Sequence, residues 1–228
     1  MSVLRQTLAS PRWSEPFLVF LVFFLAQVAT LSMAELFPGD NRLLIATIAS
    51  GFCASISATA AVLWIDRRHG RRYLGGMHIS KRHMVSSIAA GAVTSLAAWL
   101  LAEAFPADKP LPSLVEGFME NGPAIMSWWA LGLLVVSPIG EEAVFRGAVQ
   151  GYVSSRLGQP VGIVMGALCF MLVHLPQLHG YWPAAVAIFA LGCVAGVARA
   201  KTGTIHAAVL VHAAYNTVVM AFVLAARA

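Results

Sequence analysis

Charge is what this chain has least of. Fifteen Lys and Arg and ten Asp and Glu stand among 228 residues, 11% in all. An ordinary soluble domain carries about 25%. There is too little polar material to coat a water-soluble globule of this size, and most soluble enzyme folds are excluded with it. Cysteine is also scarce. Cys53, Cys169 and Cys193 all lie inside apolar runs, and their odd number and spacing argue against a disulfide framework or a thiolate metal site. No small-residue cleavage site follows the first apolar run, so it reads as a signal anchor and not a removable leader.

What the chain has in abundance is apolar residue, 59% of the total, in long continuous runs. The bilayer core offers the backbone no water, so only helices or closed barrels span it. The runs do not alternate, which favours helices. The expected fold is an all-α, polytopic transmembrane bundle. A span needs about 20 apolar residues. The runs are Phe17–Phe37, Leu43–Ile65, Met84–Phe105, Ala124 to about Arg156, Val161–His179, Pro183–Ala198 and Thr204–Ala226. The fourth is long enough to divide, so seven or eight spans are expected. Residues 1–123 read as N-terminal transmembrane helices with a basic loop, and 124–228 as the remaining helices, the whole forming one membrane domain.

The net charge of +5 serves topology here, and nucleic acid is not an expected partner. Arg67, Arg68, Arg71, Arg72, Lys81 and Arg82 crowd one loop, Asp66–His83, which also holds His69, His78 and His83. Positive loops face the cytoplasm, so the N-terminus with Arg5 and Arg12 is expected there too. Pro106–Gly122, with Asp108, Glu116 and Glu120 against Lys109, falls outside. The segment after Arg156 and the turn Arg199–Lys201 fall inside; Arg227 runs against the trend. A bacterial inner membrane is the expected location, with lipids as partners. Three small-xxx-small pairs, Gly147/Gly151, Gly162/Gly166 and Gly192/Gly196, predict close helix packing within the chain.

Polar groups inside spans are costly and usually functional. One set stands out: Glu141, Glu142 and Arg146 in the fourth span, His174 in the fifth, His212 and Asn216 in the seventh. Glu35, Glu103 and His179 lie near span ends, where an interfacial position explains them. His206 is six residues from His212 and therefore on another face; a structural role is expected. At about 1.5 Å per residue, Glu141 lies roughly 22 Å from the Arg156 end and His174 roughly 20 Å from Val161. His212 and Asn216 lie roughly 12 and 18 Å from Thr204, so the four can converge at one depth.

Glu142 and Arg146, four residues apart, share a helix face and can pair. Glu141 points about 100° away from that cation. Near a histidine it can hold a water and take its proton, which makes it the candidate base; a structural polar network is the alternative. His212 and Asn216, also four apart, can both donate to a developing oxyanion, or can serve as interhelical glue. Phe170, one turn before His174, would pack beneath it.

The runs Glu141-Glu142-Ala-Val-Phe-Arg146, Phe170-Met-Leu-Val-His174 and His212-Ala-Ala-Tyr-Asn216 resemble the EExxxR, FxxxH and HxxxN motifs of the CAAX-protease and bacteriocin-processing (CPBP, or Abi) family. Each is weak alone; three in order on three spans are strong. The resemblance covers about residues 124–226. It implies an intramembrane endopeptidase of glutamic type. Glu141 and His174 would activate water, His212 and Asn216 would form the oxyanion hole, and Glu142 and Arg146 would orient Glu141. The implied partner is a peptide or protein substrate presented at the membrane. No cofactor is expected; were a zinc ion used, Glu141, His174 and His212 would be its ligands. Two other functions stay open: a non-proteolytic scaffold, immunity or regulatory protein that retains the site, and a small transporter. The transporter lacks the inverted repeat and paired broken helices it would need.

Overall fold

The computed structural model describes residues 12–36, 41–69, 73–76, 78–107 and 120–225. Arg5, Phe37, Arg71, Arg72, Asp108, Lys109, Glu116, Ala226 and Arg227 lie outside them, as does the side chain of Glu35.

Seven helices among the described residues are long and apolar enough to cross a membrane. They are α1 (Ser14–Ser32), α2 (Arg42–His69), α3 (Lys81–Ala104), α4 (Gly122–Leu157), α5 (Gln159–Leu178), α6 (Trp182–Thr202) and α7 (Ile205–Ala225). Among the described residues no strand interrupts them, and the chain is an integral, multi-pass membrane protein. Local chemistry sets the ends. Ser80 caps α3, its hydroxyl accepting the His83 N–H at 3.2 Å. Gly158, at φ 88°, turns α4 into α5 in one residue, and Gly203, at φ 71°, closes α6. Both conformations suit glycine.

The long fourth run is not divided. Its helix runs unbroken for 36 residues, passing twice into π-helical geometry, at Gly132–Val136 and Ala143–Gln150. The first of these wider turns, just before Pro138, accommodates a residue that would otherwise break an α-helix. Among the described residues the count is therefore seven.

The bundle is apolar outside and partly polar inside. Phe17, Phe24, Ile56, Val85 and Val93 point outward and exposed, the arrangement a lipid surroundings favours. Arg146, Gln150 and Glu142 are among the largest fully buried side chains. The glycine pairs pack within the chain, as the spacing predicted. A Cβ on Gly162 would strike Ser154 Oγ of α4, and one on Gly192 would come 2.8 Å from Ala167 Cβ of α5. Helices α1 and α2 pack on α4, whereas α3 packs on α6 and α7.

The basic loop differs from the sequence reading in its middle. Arg67, Arg68, Lys81 and Arg82 are exposed as expected. Tyr73–Gly76, however, runs inward as a tether. Asp66 Oδ1 accepts the Tyr73 N–H at 2.9 Å, and Glu15 Oε2 accepts the Tyr73 hydroxyl at 2.5 Å. Arg199 Nη2 donates to the Tyr73 carbonyl at 2.8 Å. The Ile205 N–H donates to Leu74 O and the Gly76 N–H to Gly203 O, both at 3.0 Å. Gly75 sits at φ 77°, where a Cβ would collide with Gly203 O. Arg199, in the turn the sequence reading placed on the cytoplasmic side, has a buried side chain that anchors this tether.

Candidate active site

The candidate residues come from three helices: Glu141, Glu142 and Arg146 from α4, Phe170 and His174 from α5, His212 and Asn216 from α7. Glu142 and Arg146 are fully buried, and His212 is 4% exposed. Glu142 Oε1 forms an ion pair with Arg146 Nη1 at 3.1 Å, and His212 Nδ1 lies 2.9 Å from the same oxygen. One carboxylate oxygen thus joins two cationic or donor groups in a desolvated setting. The Arg146 guanidinium also lies over the Phe170 ring, 4.5 Å from its centroid; this is a cation–π contact. The i, i+4 pairing expected from sequence is present.

Glu141 lies on a different face and is the more open of the two acids, its side chain 12% exposed. Oε1 accepts a short hydrogen bond from the Ser137 hydroxyl. Oε2 faces His212 Nε2 at 3.8 Å. The His212 imidazole therefore stands between the two adjacent glutamates, one at each ring nitrogen.

The Phe170 ring organises both histidines. Its centroid is 4.6 Å from that of His174 and 5.5 Å from that of His212, the latter edge-on. His174 Nδ1 lies 2.7 Å from the Phe170 carbonyl. A carbonyl can only accept, so this contact assigns the proton to Nδ1 and leaves Nε2 with its lone pair in the neutral ring. Among the described residues His174 has no direct contact with a carboxylate. Glu141 faces the His212 ring and His174 the Phe170 ring, and those two rings lie 5.5 Å apart.

Asn216 is nine-tenths buried and donates through Nδ2 to the Leu133 carbonyl at 2.9 Å. The second Nδ2 hydrogen is not used by that bond. Among the described residues, no three His, Cys, Asp or Glu side chains gather as a metal-holding group. The set Glu141, His174 and His212 is not so gathered.

Three features escaped the sequence reading. Ser137 meets Glu141, Leu133 offers its carbonyl to Asn216, and Gln150 lies fully buried with Nε2 donating to Gly196 O at 3.0 Å. Ser137 was detectable, because it precedes Glu141 by four residues and so shares its helix face. The carbonyl was not, since it belongs to the backbone.

Fold and site together define a helical membrane protein with an interior glutamate–histidine–arginine centre. Residues 123–218 match the family model Rce1-like, described as type II CAAX prenyl endopeptidase Rce1-like. The matched stretch runs through α4, α5, α6 and most of α7 and contains every candidate site residue. It bears out the family resemblance carried by the three motifs. No curated protein and no solved structure matches the chain.

Proposed function

We propose that this protein is an intramembrane endopeptidase that hydrolyses a peptide bond in a lipidated or membrane-presented protein. The observation that carries this reading is the unequal use of the two glutamates. Glu142 is fully buried and holds Arg146 and His212 through one oxygen, whereas Glu141 is partly exposed and keeps Oε2 beside an imidazole. The family match supplies the reaction class.

In the proposed mechanism a water held between Glu141 and His174 Nε2 attacks the scissile carbonyl carbon. Its proton passes to this pair as the C–O bond forms. The carbonyl oxygen becomes an oxyanion and accepts from Asn216 Nδ2 and from His212 Nε2. His212 donates there while its Nδ1 rests against Glu142. When the tetrahedral intermediate collapses, the C–N bond breaks and the stored proton goes to the leaving amine.

A cytoplasm-facing site and N-terminus are part of the proposal, in a bacterial inner membrane. The exposed Arg67, Arg68, Lys81, Arg82, Arg156 and Lys201, all at helix ends on one side of the bundle, support that orientation.

The test uses purified protein in lipid with an internally quenched farnesylated peptide carrying a C-terminal CAAX sequence. Wild type should cleave it. Glu141→Gln and His174→Ala should each lose about 10²–10⁴ in kcat, the range of a general base. Equal cleavage by these folded variants would overturn the assignment. Exhaustive chelation should leave the rate of the wild type unchanged; activity lost on chelation and restored by zinc alone would show that a metal is required.

A further inference from the structure

The geometry points to Ser137 and Pro138 as a paired positioning element that sets the two halves of the site from one point on α4. This inference rests on the endopeptidase reading and deepens it.

The Ser137 half is direct. Its hydroxyl donates to Glu141 Oε1. That contact leaves Oε2 as the oxygen facing His212 and restricts the rotation of the carboxylate. A freely turning carboxylate would present its acceptor oxygen to the water only part of the time.

The Pro138 half works through something the residue lacks. Over Gly132–Val136 the helix widens, and the Ser137 N–H bonds to Gly132 O, five residues back. The next bond in that pattern would run from position 138 to Leu133 O. Proline has no N–H to give. The Leu133 carbonyl is thus left without its helical donor, and buried carbonyls require one. Asn216 Nδ2 fills the place at 2.9 Å. This fixes which end of the amide is nitrogen and leaves its other hydrogen for the oxyanion. The proline is buried, so water cannot readily substitute for that donor.

The two residues are adjacent, and Glu141 follows one turn later. A single π-to-α junction in α4 therefore orients the base and, across the bundle, the oxyanion donor. Neither residue needs to touch the substrate.

The experiment measures kcat and KM separately on the farnesylated peptide, with thermal unfolding of each variant in the same lipid. Ser137→Ala should lower kcat about tenfold with KM within about twofold, while Ser137→Thr, which keeps the hydroxyl, should restore most of it. Pro138→Ala supplies an N–H that competes for Leu133 O. It should lower kcat on the order of tenfold, part of the loss seen when an oxyanion donor is removed, and should unfold no earlier than wild type. In an Asn216→Ala background the Pro138→Ala change should cost nothing more, because the amide it acts through is gone.

Wild-type kcat in Ser137→Ala, or equal loss in Ser137→Thr, would overturn the serine half. Wild-type kcat in Pro138→Ala, or an additive loss with Asn216→Ala, would overturn the proline half. If Pro138→Ala does not fold, the serine pair still decides its half, and Pro138→Gly repeats the test of the added N–H. A wild type that cleaves nothing, or a Glu141→Gln that cleaves normally, would instead fault the endopeptidase reading.

Discussion

Arg146→Met should unfold protein that wild type keeps folded, at a cost of about 3–5 kcal/mol. The reason is what it leaves behind. Glu142 and Arg146 are both fully buried, and Arg146 Nη1 is 3.1 Å from Glu142 Oε1. Removing the guanidinium strands a carboxylate in a setting with no solvent, with His212 as its remaining partner. It also removes the cation over Phe170, the ring against which both histidines lie. Stability and turnover should fall together. The double variant Glu142→Gln with Arg146→Met should recover much of the stability, since no charge is then stranded, but none of the turnover. Denaturation in mixed micelles and cleavage of the same peptide would check both. A single variant as stable as wild type would mean that the pair is not desolvated as its burial indicates.

Gly140→Ala should have the second large effect. A Cβ at this position would strike Ser55 Cα and Cβ on α2. A flexible side-chain tip could swing aside, but a Cα cannot. Overpacking of this sort costs about 1–3 kcal/mol. Relief requires α4 to move away from α2 at the residue directly before Glu141. A displacement of about 1 Å in a reacting group can cost about 10² in rate. The expected result is a modest drop in unfolding midpoint with a fall in kcat near that factor. Gly51→Ala, on α2 itself and with nothing within 4 Å of the added carbon, should leave both unchanged. Wild-type kcat in Gly140→Ala would show that α2 does not hold Glu141 in place.

These two sites show what could be read in advance and why. The spans were legible because length and continuous hydropathy are one-dimensional properties. The pairing of Glu142 with Arg146 was legible because helix periodicity places residues four apart on one face. The same rule puts Ser137 with Glu141, although a serine in an apolar run draws less notice than a charge. Beyond one helix the periodicity carries no information. That His212 inserts between both glutamates, and that Asn216 finds Leu133 O, depends on how α7 crosses α4. The undivided fourth helix was illegible for a related reason. Pro138 looks like a break until the backbone widens around it. The inward run of Tyr73–Gly76 was hidden by the arginines on either side, whose charge marks the surface and says nothing about the residues between them.

That tether bears on how the chain assembles. Tyr73, Leu74 and Asp66 enter the membrane region early in synthesis, yet Arg199, Gly203 and Ile205, to which the tether is bonded directly or through Tyr73, are made more than a hundred residues later. Likewise α3 must wait for α6 and α7 before it has neighbours. The first three helices are therefore inserted as unfinished walls, and the last two close the structure. The stretch from 123 to 218 holds the candidate site, but its closing bonds are made to residues outside it, so heredity of the motif and autonomy of the fold do not coincide in this protein.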